Sequence, residues 1–227
     1  MDAFLGVDGR RGGWALALVR GGPGGAELVR WGVADRLGPV LAQAREDGVR
    51  AVGIDVPIGL PAGAWRPADL LAKRRLGAAS ARVFLVPPRV VLAAPDYATA
   101  RVRCREVMGG KGLSAQTWGL RDPVLAVDEL LREPGWARDH LVETHPELSL
   151  ADLAGRVLPS KKGPDGRAAR LDALTGWLDL DAGAVPAGDD HLDAAACAWS
   201  AARWSGGVAG VLGGEPDERG LPQRIVT

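Results

Sequence analysis

Two aspartates stand inside apolar runs that read as β-strands. Asp8 follows Ala3-Phe4-Leu5-Gly6-Val7, and Asp55 interrupts Ala51-Val52-Gly53-Ile54-Asp55-Val56-Pro57-Ile58. A carboxylate in such a run is costly unless a metal, a cation or hydrogen bonds satisfy it. A further acidic group, Asp189-Asp190-His191-Leu192-Asp193, opens an alanine-rich helix. Asp190 and Asp193 are three apart and so share a face in its first turn. Glu143 follows the apolar pair Leu141-Val142 and begins Glu143-Thr144-His145-Pro146-Glu147. Carboxylates on separate elements, with no cysteines at metal spacing, suit Mg²⁺ or Mn²⁺ rather than zinc. Two such ions can activate water and stabilise the leaving oxygen of a phosphodiester.

Plainer roles compete for several of these residues. Asp8-Gly9 fits a turn between strands. Asp189 fits a helix cap, and Asp190 and Glu147 fit first-turn acids favoured by the helix dipole. His145 and His191 flank the acids, yet a lone histidine also serves as a hydrogen-bonded structural residue. Ser160-Lys161-Lys162-Gly163, with Arg167 and Arg170 beyond, could grip phosphates or form a solvated loop. Gly112 to Trp118 is an uncharged polar patch suited to substrate contact or loop packing. No serine sits in a nucleophile-elbow pattern, so Ser-His-Asp chemistry has no support.

The elements that must position these groups follow from periodicity. Ala3–Val7, Gly13–Val19 and Ala26–Val33 read as strands with short links, hence an antiparallel meander. Leu37–Asp47 has helical spacing and ends at Gly48. Arg50–Ile58 is apolar on both faces, as central parallel strands are. A helix crossing between strands makes them parallel, which allows the fourth strand beside the first and Asp8 near Asp55. That carboxyl edge is the usual ligand edge of such sheets. Helices are expected at Pro67–Leu76, Tyr97–Met108, Asp122–Leu131, Pro146–Leu153, Ala168–Leu178 and Asp190–Trp204. His140–Thr144 reads as a fifth strand, Leu158–Arg167 as a mobile loop and Leu221–Val226 as an edge strand. The expectation is one domain over 1–227, with a helical basic insertion at about 62–138.

The chain has 227 residues and zero formal net charge, with 28 basic and 28 acidic residues. It is therefore no polycation as a whole. Between Arg66 and Arg121, however, eleven basic residues meet only Asp69, Asp96 and Glu106, about +8 against −8 elsewhere. Such a stretch can meet phosphates or simply solvate helix faces. Two distant cysteines imply a reducing compartment and no disulfide framework. With no basic leader and no long apolar run, a cytoplasmic protein without membrane contact is expected.

Taken in order, these motifs resemble those of the predicted RNase H-like nucleases, the domain of unknown function 429 family. The matching pieces are Gly6-Val7-Asp8-Gly9 with Gly13-Trp14, Ile54-Asp55-Val56-Pro57-Ile58-Gly59-Leu60-Pro61, and Ser80-Ala81-Arg82-Val83-Phe84 with Pro87. They continue with Gly112-Leu113-Ser114-Ala115-Gln116, Glu143 to Glu147, Ser160-Lys161-Lys162, Asp189 to Ala194, and Gly220-Leu221 with Ile225-Val226. The resemblance implies an α/β RNase H-like fold: a five-stranded mixed sheet in the order 3-2-1-4-5 with helices on both faces. It implies that Asp8 and Asp55 are the acids of the first and fourth strands. As in resolvases of the RuvC type, the last helix would add Asp190 and Asp193, and Glu143 would be an acid particular to the family. Arg82, Ser114, Gln116, His145, Glu147, Lys161, Lys162 and His191 are the substrate-binding candidates within these motifs. Arg10 and Arg121-Asp122-Pro123-Val124 depart from the family pattern without touching a proposed ligand.

The leading expectation is a nuclease using Mg²⁺ or Mn²⁺ on DNA or RNA. An actin-like phosphotransferase or ATPase is the alternative, with Asp8-Gly9 and Arg11-Gly12-Gly13 as a phosphate loop, although such enzymes usually need two such domains. A non-catalytic binding module that keeps the acids for structure or for one regulatory ion is the third.

Overall fold

A computed structural model describes residues 1–163 and 165–227. In chain order, β1 (Asp2–Arg10), β2 (Gly13–Gly22) and β3 (Gly25–Ala34) precede α1 (Leu37–Glu46) and β4 (Ala51–Ile54). Next come α2 (Pro67–Leu76), a 3₁₀ segment (Gly77–Arg82), α3 (Arg89–Leu92), α4 (Tyr97–Val107), α5 (Ala115–Gly119) and α6 (Arg121–Leu130). Then follow α7 (Trp136–His140), β5 (Leu141–Glu143), α8 (Pro146–Ala154), α9 (Gly166–Thr175), β6 (Leu178–Asp179) and α10 (Asp190–Ser205). The chain closes with β7 (Val211–Pro216) and β8 (Pro222–Val226). Two compact units result: Met1–Val56, Gly135–Gly210 and Val226–Thr227 in one, Pro57–Pro134 and Val211–Ile225 in the other.

The first unit is an α/β sheet with helices. Among the described residues its strand order is β5-β4-β1-β2-β3-β6. The first three strands are an antiparallel meander because their links are short. Arg11-Gly12 closes the first hairpin, with Gly12 at φ +80°, a value glycine tolerates. β4 returns through α1 and lies parallel to β1, and β5 lies parallel to β4. The 3-2-1-4-5 order is thus present, with one strand more than expected. β6 pairs with β3 at Ala26 and Leu178. The helix expected over Ala168–Leu178 runs instead from Gly166 to Thr175, because Trp177 and Leu178 leave it to bury in the core. Pro164, within the loop expected over Leu158–Arg167, lies outside the described residues.

Helix α10 decides where the acids go. Both β1 and β4 read Gly-x-Asp, as Gly6-Val7-Asp8 and Gly53-Ile54-Asp55, and Gly6 pairs with Gly53 in the parallel ladder. A Cβ on Gly6 would fall 1.7 Å from the Ala194 carbonyl oxygen, and one on Gly53 would fall 2.2 Å from that of Cys197. The helix backbone therefore rests on the bare strand backbone at both points. Ala194, Ala195 and Ala198, all fully buried, complete this close approach. Side chains alternate faces along a strand, so the residues two beyond each glycine face the same helix. Those residues are Asp8 and Asp55.

The second unit is mainly helical and takes up much of the basic stretch. Arg66 is fully buried 3.4 Å from Asp69, which also accepts a 2.8 Å hydrogen bond from the Val86 amide. Lys73 Nζ donates to the carbonyls of Ser80 and Val83 at 2.7 and 2.9 Å. Arg89 donates to both Asp128 oxygens at 2.9 Å, to Asp217 at 2.6 Å and to Glu218. Asp217 also accepts from the amides of Leu60, Arg219 and Leu221. Burial would raise its carboxyl, but these donors hold it below the ordinary value. Several basic residues thus stabilise the fold, while Arg74, Arg75, Arg101, Arg105 and Lys111 remain exposed. The tail expected as an edge strand forms β8, which pairs with β7 in a separate two-stranded sheet. Among the described residues no helix is long and apolar enough to cross a membrane.

Candidate metal centre

Three acids from the first unit, on β1, just past β4 and on α10, lie near enough for their charges to act on one another. Asp8 lies near the end of β1 and is 7% exposed. The Asp55 amide donates to the Val7 carbonyl at 3.0 Å, carrying the ladder one residue past β4. This sets Asp55 beside Asp8, and their carboxyl groups share a hydrogen bond. Asp193, 3% exposed, lies in the first turn of α10, its amide bonded to the Asp189 carbonyl at 2.9 Å. Lys161 Nζ donates to Asp193 Oδ2 at 2.8 Å. Asp193 Oδ1 is buried and has no hydrogen-bond partner among the described residues, with Arg170 Nε 3.9 Å away.

The acids disfavour their own ionisation. Burial raises the Asp8 carboxyl well above its ordinary value, and the Asp55 and Asp193 charges add to this. Burial also raises Asp55, against His145, Lys161 and the Asp8 hydrogen bond. Asp193 is pushed up to about 6 by burial, although Lys161 opposes the shift. For Lys161, burial would lower the ammonium, but Asp193 and the other two acids outweigh it and raise it. Beneath them the Cys197 thiol is fully buried and pushed well up by that burial and by Asp55 and Asp8. Such a cluster gains stability from a proton or a cation.

The remaining sequence candidates divide between the units. Asp190 is half-buried at the start of α10, and its charge acts on Asp8. Glu143 ends β5, 5% exposed, paired in register with Ile54. His145 precedes α8, and its buried Nδ1 has no hydrogen-bond partner among the described residues. Glu147 is ion-paired with Arg170. Lys162 is exposed in the turn beside Lys161. His191 is turned to the sheet, its Nε2 3.2 Å from the Gly32 carbonyl and its ring edge-on to Trp31 at 5.7 Å. Arg82, Ser114 and Gln116 belong to the second unit, where Ser114 caps α5 by accepting from the Thr117 amide. Asp189 makes no side-chain cap; its carboxylate lies 3.9 Å from Arg167. Arg170 is not a surface phosphate grip. It is fully buried and donates to Glu147 and to the carbonyls of Pro159 and Gly166 at 3.1 and 3.0 Å. Its only sequence signal is a helical position, which does not separate a buried arginine from an exposed one.

In kind, the donors fit a hard divalent ion: they are carboxylate oxygens, buried, and short of positive charge. Asp193 Oδ1, the buried oxygen without a hydrogen-bond partner, is the donor left open. In arrangement they are not preassembled, for among the described residues no three His, Cys, Asp or Glu side chains are grouped to hold a metal ion. Two contacts already engage these oxygens. Asp8 and Asp55 are bonded to each other, and Lys161 holds Asp193. The two-ion constellation suggested by the sequence is therefore not formed among the described residues.

Two solved structures resemble the chain path. Thermus thermophilus RuvC in complex with a Holliday junction substrate has a TM-score of 0.45 at 15% identity, covering 92% of this chain and 98% of that one. A second Thermus thermophilus RuvC structure has a TM-score of 0.44 at 15% identity, with 91% and 97% covered. No curated protein matches the chain. The model of the family described as "Protein of unknown function (DUF429)" matches residues 6–218, and the chain belongs to that family.

Proposed function

We propose that this protein is a divalent-metal-dependent nuclease, with one Mg²⁺ or Mn²⁺ held by Asp8, Asp55 and Asp193 and with Asp190 at the margin. One observation supports this above the others: acids from β1, the end of β4 and α10 share one neighbourhood in which desolvation raises all three carboxyls and the Asp55 charge raises Asp8 and Asp193 further. Evolution does not need such a cluster for stability, since unpaired buried charge destabilises a fold. A bound ion would supply activated water and charge stabilisation at the scissile phosphate.

The chain's own residues do the rest. Asp8 and Asp55 are held by strand backbone, and Asp193 by the seat of α10 on Gly6 and Gly53. That rigidity fixes donor positions, as catalytic geometry requires. His145, whose charge acts on Asp55 and whose Nδ1 is open, is placed to hold a proton. Lys161 and Lys162 lie on one loop and bring positive charge to a phosphate. The exposed basic residues of the second unit suit a polyanion, which makes nucleic acid the proposed substrate. The Lys161–Asp193 contact also favours a second reading, a non-catalytic module in which the ammonium balances the acids.

Labelled single-stranded, duplex and branched DNA and RNA, with Mg²⁺, Mn²⁺ or chelator, separate these readings. The proposal expects metal-dependent cleavage that Asp8→Asn and Asp55→Asn each reduce at least about 100-fold. Cleavage that survives both substitutions, or no cleavage of any substrate with either metal, overturns it.

A further inference from the structure

We propose that Lys161 is the resident cation of the acid cluster, and that a divalent ion binds by displacing its ammonium from Asp193. The inference rests on the metal-dependent reading above and adds how the site becomes occupied.

Two cations approach Asp193, and the structure holds them differently. Arg170 is fixed. It is fully buried, stands 3.9 Å from Oδ1, and is tied to Glu147 and to the Pro159 and Gly166 carbonyls. Those two carbonyls lie on either side of the segment carrying Lys161, so Arg170 pins both ends of that loop. Lys161 is exchangeable. Its side chain is 43% exposed while that of Asp193 is 5% exposed, so a solvent-side arm reaches in to a buried acid. It belongs to a turn closed by the Gly163 amide on the Ser160 carbonyl at 2.9 Å, outside any helix or strand. The ammonium can therefore leave without breaking regular structure, whereas Asp8 and Asp193 are carried by a strand and a helix.

Charge sets the direction of exchange. Asp8, Asp55 and Asp193 carry three negative charges when ionised, and Lys161 supplies one positive. A divalent ion supplies two at the same place, and it coordinates oxygen where an ammonium only donates hydrogen bonds. Both Asp193 oxygens become available once Lys161 leaves, since Oδ1 already lacks a hydrogen-bond donor. The released ammonium stays on the same loop as Lys162, free to meet a phosphate.

The test uses calorimetric titration of Mn²⁺ into the wild-type protein, Lys161→Met and Lys161→Arg, with circular dichroism to show that each is folded. Displacement predicts that Lys161→Met binds Mn²⁺ roughly 10- to 100-fold more tightly, the range set by losing one charge-assisted contact. Lys161→Arg keeps a competing cation and stays at or below wild-type affinity. A second measurement needs no variant. Acetylation of Lys161 in the wild-type protein, read by mass spectrometry, rises several-fold on Mn²⁺ saturation. Wild-type binding with equal or weaker binding by Lys161→Met, or labelling that is unchanged or falls, overturns the displacement alone. Absence of Mn²⁺ binding by all three proteins overturns the metal reading and the displacement with it.

Discussion

Asp193 provides a measurable consequence of the cluster's electrostatics. Its carboxyl titrates near 6 in the native protein, against 3.8 ordinarily. Between those values the native state binds the extra proton, so stability falls as pH rises. The contribution is fully present below about pH 4 and is lost as pH climbs through 6. The gap, at 1.36 kcal/mol per pH unit, gives about 3 kcal/mol. For a chain of this size that corresponds to roughly 6–12 °C in Tm. The perturbation is Asp193→Asn, which removes the ionisable proton but keeps an oxygen for Lys161. Urea unfolding in chelator, followed by tryptophan fluorescence at pH 4.5, 6 and 8, supplies the assay. Between pH 4.5 and 8 the wild type is expected to lose about 2 kcal/mol more than the variant, the rest of the contribution having gone below pH 4.5. Parallel pH profiles would refute the reasoning. So would a wild type that gains on the variant as pH rises, because Lys161 at 2.8 Å would then outweigh burial.

The same balance predicts that Asp8→Asn stabilises the metal-free protein by about 1–2 kcal/mol at pH 8, read by thermal denaturation in chelator. Loss of stability would show that the Asp8 charge is already compensated. Gly6→Ala is expected to cost about 3 kcal/mol or more, since its Cβ would enter the Ala194 carbonyl. It should also weaken Mn²⁺ binding by lifting Asp193 from the sheet; a wild-type denaturation midpoint would contradict this packing. In the second unit, Arg89→Ala leaves Asp128 and Asp217 without their shared guanidinium and is expected to cost about 3–5 kcal/mol in denaturant unfolding. A change below about 1 kcal/mol would show that the pairing is screened.

The acids were readable because a charge in an apolar strand violates local pattern, and such violations cluster at sites. The strand order was readable because short links force a meander and a crossing helix forces parallel strands. The repeated Gly-x-Asp of β1 and β4, together with the alanines after Asp193, carried a packing message too. Glycine and alanine there let α10 sit directly on backbone. Other features depended on distant partners. Lys161 and Asp193 are 32 residues apart, and the Arg89 clasp joins residues up to 129 apart. His191 adjoins the acids in sequence, but successive helix positions point about 100° apart. Its ring therefore reaches Gly32 and Trp31. β6 has two residues and α5 five, too few for any period to show. Arg170 could not be recognised as buried, because its partners come from α8 and from the loop before α9.

The central claim is that Asp8, Asp55 and Asp193 take a divalent cation. Anomalous scattering from crystals soaked in Mn²⁺ tests it most directly. The account predicts a manganese peak in contact with all three carboxylates and Lys161 Nζ withdrawn from Asp193. Saturating Mn²⁺ with no peak among these acids, and Lys161 still on Asp193, would contradict it.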